Sequence, residues 1–214
     1  MSEPISSRGL RFLYNSVLLT TSCLAALNLG LEKQPFAMGA CAVGGVAAVV
    51  GLLRVAFGPA GGSASQRQRG SEPELLMVKN VTQGMLELVP LPLVNMELYA
   101  HSLGVGPVVL AHGIFVVPLL LDLYCSMVNH RKDCEWTESA RNLSMLGNIV
   151  SLGFLSVREK NFIYMRMTLT MLVIRFYPVI MDTTNEETGE DLIVCGTAFF
   201  FYMFGKVAQQ WAEE

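Results

Sequence analysis

Hydrophobic residues run without a charged side chain over two long stretches near the start of the chain, residues 12–31 and 34–53. Each stretch is about as long as the apolar part of a membrane-crossing helix, roughly 20 residues. The polar residues between them leave room only for a tight turn, and Pro35 suits the first turn of the second helix. The pattern therefore predicts an N-terminal hairpin of two transmembrane helices.

Four later stretches are also apolar enough to cross a membrane as helices. They predict helices over residues 104–127, 142–157, 162–181 and 192–211. The helix at 142–157 is short, about 24 Å at 1.5 Å per residue. Together with the hairpin, these segments predict an all-α fold, a polytopic membrane helical bundle with about six transmembrane helices.

The segment over residues 78–100 does not fit this pattern. It contains Glu87, Asn95 and Glu97 among apolar residues, and Pro90 and Pro92 interrupt it. Charges and prolines disfavour a span that faces lipid. We therefore expect a short helix at the membrane interface. A re-entrant segment buried against protein is the alternative.

A Gly/Ser/Gln/Arg-rich stretch follows the hairpin and has too little apolar surface to fold. It divides the chain into three parts. Residues 1–57 are the predicted hairpin, residues 58–77 a flexible linker, and residues 78–214 the interfacial segment with a four-helix bundle.

Composition supports a membrane protein and narrows its partners. Apolar residues make up 52% of the chain and charged residues only 15%, whereas soluble domains carry about a quarter charged residues. The net charge of −3, without a cluster of basic residues, speaks against a nucleic-acid partner. The expected partners are the lipid bilayer and other membrane proteins. Five cysteines without a CxxC pair suggest neither a disulfide framework nor a metal site, and no cofactor is expected.

Basic residues near the ends of the spans predict the orientation. With the N-terminus in the cytoplasm, seven of them fall inside: Arg8, Arg11, Arg67, Arg69, Lys79, Arg158 and Lys160. Four fall outside: Lys33, Arg131, Lys132 and Arg141. The positive-inside rule then places both termini in the cytoplasm and the acidic loop 182–191 on the far side. We expect an integral protein of the endoplasmic reticulum or another endomembrane.

Small residues recur at four-residue spacing in the second helix. Ala40, Gly44 and Ala48 form one line, and Cys41 and Gly45 form the next. Such a stripe lets two helix backbones approach closely in lipid. We expect it to pack inside the protein, with self-association as the alternative.

Charged side chains inside the predicted spans are the main candidates for function, because each is costly in lipid. They are Asp122, Arg166 and Arg175. Arg166 lies near a helix end and can extend to the headgroups. Asp122 and Arg175 lie at similar predicted depths, so we expect either an ion pair between their helices or an ion or substrate pathway.

Glu97, His101 and His112 fall on one face if a single helix carries them. Such a line is a possible ligand or proton site, although glycines and a proline interrupt it. Hydrogen-bonded structural histidines are the alternative. On the predicted helix at 142–157, Ser144, Asn148 and Ser151 recur about one turn apart, and we expect them to bond to neighbouring helices.

Three functions remain open from the sequence. The first is a non-enzymatic membrane protein that acts through helix contacts as a scaffold, assembly factor or accessory subunit. The second is a small transporter or channel that uses the three intramembrane charges. The third is an enzyme acting on lipid, which requires Glu97, His101 and His112 to converge with His130 and Asp133.

Overall fold

Every element in the described part of the chain is a helix, which confirms the predicted all-α class. The computed structural model describes residues 5–30, 32–57, 81–103, 106–128, 135–181 and 186–213. The helices are α1 (Ile5–Leu27), α2 (Pro35–Phe57), α3 (residues 81–88), α4 (Pro90–Leu103), α5 (Pro107–Val128), α6 (Glu135–Arg158), α7 (Phe162–Met181) and α8 (Glu186–Glu213).

Three of these helices are long and apolar enough to cross a membrane. The stretches are Arg8–Leu27 in α1, Pro35–Ala56 in α2 and Gly189–Glu213 in α8. A shorter apolar stretch, Pro107–Pro118, lies in α5. The structure is therefore compatible with an integral membrane protein, with three candidate spans rather than six among the described residues.

The helix boundaries agree with the sequence where apolar runs end abruptly. Helix α2 begins at Pro35 and α7 occupies residues 162–181, as predicted. In contrast, α6 begins at Glu135 rather than residue 142, and α8 begins at Glu186 rather than residue 192. Acidic side chains in a first turn are favourable because the helix dipole is positive there. The polar residues expected to form loops thus extend two helices, while the proposed linker at 58–77 lies outside the described residues.

Helices α3 and α4 form one broken rod. Val89 bends the chain between them, and hydrogen bonds continue around the bend, from the Val89 N–H to the Met85 carbonyl and from the Leu93 N–H to the Val89 carbonyl. Pro90 and Pro92 both fall in the first turn of α4, where a missing N–H costs no helical hydrogen bond.

This rod lies inside the protein. The side chains of Leu91, Val94 and Leu98 are fully buried, and α4 packs against α2, α5 and α6. The segment expected at the membrane interface is thus buried against protein, and its depth in the bilayer stays a prediction. The charges and prolines that argued against a lipid-facing span are tolerated because protein surrounds them.

The helices alternate in direction along the bundle. Arg11 and Asp191 lie 3.7 Å apart (Nε to Oδ1), and Arg54 and Glu190 also lie 3.7 Å apart (Nη1 to Oε2). Helix α1 therefore begins, α2 ends and α8 begins at one end of the bundle, which we call the Arg11 end.

The other end is marked by the start of α2, and we call it the Pro35 end. Here Trp211 of α8 stacks on His101 of α4, with ring centroids 4.4 Å apart. Helix α8 thus runs parallel to α1 and extensively contacts it. The broken rod α3–α4 adds one more passage along the bundle, so α1 begins at the Arg11 end and α8 ends at the Pro35 end. The side of the membrane that each terminus occupies stays a prediction. The start of the acidic helix α8 consequently lies beside the start of α1, not opposite it.

Candidate functional site

Buried polar side chains meet where α4, α5 and α6 pack together. The Asn95 amide donates through Nδ2 to the Asn148 carbonyl (2.9 Å) and to its side-chain Oδ1 (3.1 Å). Asn148 in turn donates to the Ser144 carbonyl at 2.9 Å. Asn95 and Asn148 have no exposed surface, and Asn95 Oδ1 finds no partner among the described residues. These amides tie α4 to α6 deep in the bundle.

One turn further along, three side chains form a hydrogen-bonded chain. The Ser151 hydroxyl lies 2.8 Å from the Tyr99 hydroxyl and 2.6 Å from Nε2 of His112. The Tyr99 hydroxyl also donates to the Ser151 carbonyl at 3.0 Å, and the rings of Tyr99 and His112 lie 4.4 Å apart. A hydroxyl from each of two helices and an imidazole from a third thus share one buried site.

This chain offers two proton arrangements. His112 Nδ1 lies 2.8 Å from the Val108 carbonyl, so that nitrogen carries a proton. With neutral His112, Ser151 donates to Nε2 and Tyr99 donates to Ser151. With His112 protonated, Nε2 donates to Ser151, Ser151 to Tyr99, and Tyr99 to the Ser151 carbonyl. The two arrangements differ in the rotation of two hydroxyls and in one proton, and their heavy atoms occupy the same positions.

Glu97 serves a different purpose. Its Oε2 accepts hydrogen bonds of 3.0 Å from the backbone N–H groups of Phe36 and Ala37, in the first turn of α2. These N–H groups have no partner within their own helix, so the carboxylate caps α2 and meets its positive dipole. Glu97 is 4% exposed, which makes this a buried, long-range helix cap.

Glu97, His101 and His112 each make a different contact, and a shared ligand or proton site stays a prediction. Glu97 caps α2, His101 stacks on Trp211, and His112 joins Ser151 and Tyr99. Among the described residues no cluster of three or more potential metal ligands occurs. His130 and Asp133 lie outside the described residues. The lipid-acting enzyme therefore stays a prediction.

Arg175 joins three helices near the Arg11 end. Its guanidinium binds the Glu87 carboxylate from α3 and the Asn142 side chain from α6. The pair is partly buried, with 18% of the Arg175 side chain and 24% of the Glu87 side chain exposed. The side chain of Asp122 lies outside the described residues, so its pairing with Arg175 stays a prediction.

Arg166, the other charge singled out in α7, has a different setting. Its side chain is exposed and lines an apolar groove between α7 and α8. Nearby on α8, the ammonium of Lys206 lies 5.8 Å from the centre of the Tyr202 ring. Arg166 and Arg175 therefore do not line one internal pathway, because one faces outward and the other is held between helices.

The small residues of α2 pack mainly inside the bundle. Ala40, Cys41, Gly44 and Ala48 are buried. A methyl group built on Gly44 would lie 2.5 Å from the Phe201 ring of α8, so only glycine allows this approach. Gly45, by contrast, is partly exposed and has open space beside it. The Ala40, Gly44, Ala48 line thus faces the interior of the bundle, and its role as a helix-packing stripe stays a prediction.

The expectation that Asn148 and Ser151 bond to neighbouring helices is confirmed. Sequence reasoning missed their partner Tyr99 and the partners of Arg175. The spacing of Asn95 and Tyr99, four residues apart on α4, could have indicated a second polar line facing that of α6. No local pattern indicates that Glu87 and Asn142 bind Arg175, since the three residues come from segments far apart in the sequence.

Comparisons with known proteins add a family but no activity. No curated protein and no solved structure matches the chain. One protein family matches residues 32–208, from the turn before α2 almost to the end of α8. The match thus includes α2, the polar network, the Glu97 cap and the Arg175 cluster. The chain belongs to this family, which is described as a domain of unknown function, DUF4791.

Proposed function

We propose that this protein is a non-enzymatic, multi-pass membrane protein that acts through helix contacts as a scaffold, assembly factor or accessory subunit. One observation supports the proposal: the polar and charged side chains that could carry chemistry form hydrogen bonds between helices. Glu97 caps α2, Asn95 holds α6, and Arg175 joins α3, α6 and α7. An endomembrane such as the endoplasmic reticulum is the proposed location.

The alternating helices support a multi-pass arrangement with seven passages, counting α3 and α4 as one. Seven passages place more of the basic residues at one end of the bundle than the six-span arrangement does. Arg8, Arg11 and Arg54 lie toward the Arg11 end. The segments that join helices at this end add Arg67, Arg69, Lys79, Arg131 and Lys132 by sequence, whereas Lys33, Arg158 and Lys160 belong to the Pro35 end. The positive-inside rule then places the Arg11 end in the cytoplasm and the end of α8 across the membrane.

Affinity purification in mild detergent tests the scaffold function, with bound proteins identified by mass. Two neighbouring glycines of α2 offer a matched pair of variants, Gly45→Leu on the outward face and Gly44→Leu on the buried face. The Gly45 side is open and continues into the exposed side chains of Val46 and Val49, so Gly45→Leu should release partners without unfolding the protein. Gly44→Leu should instead destabilise the fold against Phe201. Purification of the wild-type protein without stoichiometric partners would contradict the proposal.

A second function is favoured by the Tyr99, Ser151 and His112 chain. Because the two proton arrangements of this chain share the same heavy-atom positions, it fits a proton relay in a proton-coupled transporter. The relay joins side chains of α4, α5 and α6, where one buried acceptor, Asn95 Oδ1, is unpaired among the described residues.

Proteoliposomes that enclose a pH-sensitive dye separate the two functions. A transporter should collapse an imposed pH gradient, and His112→Gln should abolish this flux while His101→Gln, at the exposed stack on Trp211, leaves it unchanged. Absence of proton flux above that of empty vesicles, with and without a membrane potential, would leave the scaffold function as the better account.

A further inference from the structure

An apolar groove opens on the outer surface between α7 and α8. The two helices approach closely at Gly196, where a methyl group would lie 2.5 Å from the Ile174 side chain. Beside this contact the groove has a volume of about 360 Å³, and its walls include Leu169, Val173, Leu192 and Phe199. Leu169, Val173 and Phe199 are exposed by 44–54%, so the surface of the bundle offers a long apolar depression.

A positive charge stands at one end of this groove. Arg166 lines it, and no described residue forms an ion pair with the Arg166 guanidinium. Arg166 precedes Ile174 by eight positions, which is about 12 Å along the helix. Because α7 and α8 are antiparallel and Ile174 meets Gly196, the depth of Arg166 falls between Tyr202 and Lys206 on α8. Two cations and a tyrosine are therefore found at the same end.

We propose that the groove binds one glycerophospholipid, with an acyl chain between α7 and α8 and its phosphate on Arg166. A guanidinium presents a planar fork that binds phosphate oxygens through two hydrogen bonds. The distance of about 12 Å from Arg166 to the close helix contact suits most of one leaflet, which is about 15 Å deep in a bilayer core of about 30 Å. Lys206 and Tyr202 lie where a headgroup would meet the interface.

The charge arrangement favours a lipid over a protein helix as the occupant. A partner helix would bring backbone and side chains but would need an acidic residue buried opposite Arg166. A phospholipid brings an apolar chain and an anion in the required order along the groove. The lipid would occupy the leaflet at the Pro35 end, because α7 begins there, after the turn that follows Arg158.

Native mass spectrometry of the purified full-length protein tests this site, with phosphatidylglycerol as the titrated lipid. The wild type should bind one molecule tightly, and Arg166→Gln should weaken that binding by roughly tenfold, as expected for the loss of charge-assisted hydrogen bonds. Arg166→Lys should retain part of the affinity. Diacylglycerol with the same acyl chains should bind no better to the wild type than to Arg166→Gln.

Two further variants distinguish a groove from general attraction of a charged surface. Arg158→Gln removes an exposed cation at the same end, outside the groove, and should leave binding unchanged. Val173→Trp fills the groove from an exposed position and should weaken binding while Arg166 is intact. Equal losses for Arg158→Gln and Arg166→Gln, or wild-type binding by Arg166→Gln, overturn the proposal. Neither result bears on the partner purification that tests the scaffold function.

Discussion

Glu97 accepts a hydrogen bond of 3.0 Å from the backbone N–H of Ala37, so a carboxylate on α4 closes the first turn of a helix that begins sixty-two positions earlier. Caps of this kind normally come from the residue that immediately precedes the helix. Here the position is held by Gln34, whose side chain instead accepts from the Gly30 N–H within the turn. The cap of α2 is therefore supplied by one buried side chain of α4.

Two replacements of Glu97 should separate the contribution of its charge to stability from the contribution of its hydrogen bonds to α2. Glu97→Ala removes the Oε2 acceptor and leaves two backbone N–H groups unpaired, which should cost about 1–3 kcal/mol. Glu97→Gln keeps one carbonyl acceptor, so its loss should be smaller. Thermal unfolding in detergent measures both. Glu213→Gln, an exposed carboxylate at the same end, is the control, and an equal effect there would remove the capping account.

Neighbouring glycines of α2 should respond in opposite ways to the same substitution. Gly44→Leu forces the Phe201 ring away and should destabilise the fold by about 1–3 kcal/mol or more. Gly45→Leu enters open space and should be neutral or slightly stabilising, because glycine in a helix costs about 1 kcal/mol relative to alanine. Chemical denaturation of the two variants in the same detergent gives the comparison. Equal destabilisation would mean that the Gly45 face is also packed.

A double-mutant cycle identifies the partner of Arg175. Arg175→Gln and Glu87→Gln should each cost about 1–3 kcal/mol, because each strands a charged partner between helices. The double mutant should lose less than the sum, with a coupling of about 0.5–3 kcal/mol. The same cycle with Asp122→Asn tests the pair expected from the sequence. Coupling to Asp122 and additivity with Glu87 would contradict the arrangement of α3 against α7.

Membrane orientation should differ between the two ends of the chain. Single cysteines at Gly9 and Gln210, in a background without the five native cysteines, occupy exposed positions at opposite ends of the bundle. A membrane-impermeant maleimide applied to sealed vesicles should label only one of them. A cysteine at Lys33, in the turn between α1 and α2, should behave like Gln210. Labelling of both Gly9 and Gln210 from one side would restore an even number of spans.

The helices themselves were predictable from the sequence because long apolar runs leave little choice of structure. The bounds of α7 agree fully, and the close packing of Gly44 follows from the small-residue line. The burial of the broken rod against protein was only the alternative interpretation of the sequence, for a physical reason. Glu87, Glu97 and the two prolines argue against a lipid-facing helix, and only the tertiary structure supplies Arg175 and the start of α2 as their partners.

The starts of α6 and α8 were placed too late for a related reason. Polarity alone does not distinguish a loop from the first turns of a helix, where acidic side chains are favourable. Part of the side-chain network could be predicted from the sequence, since Asn148 and Ser151 form a polar line on one helix. Their partner Tyr99 was hidden because tyrosine is common in both cores and interfaces.

The side-by-side packing of α1 and α8 has a consequence for the order of synthesis. Helix α1 precedes every other described helix, and α8 follows them all, yet the two share an extensive interface in which the Gly205 backbone meets Ala25. A ribosome releases α1 long before it synthesises α8. The face of α1 that contacts α8 therefore has no partner while the intervening helices are made. Helix α8 thus completes the packing around α1, which makes the stability of α1 depend on the later synthesis of α8.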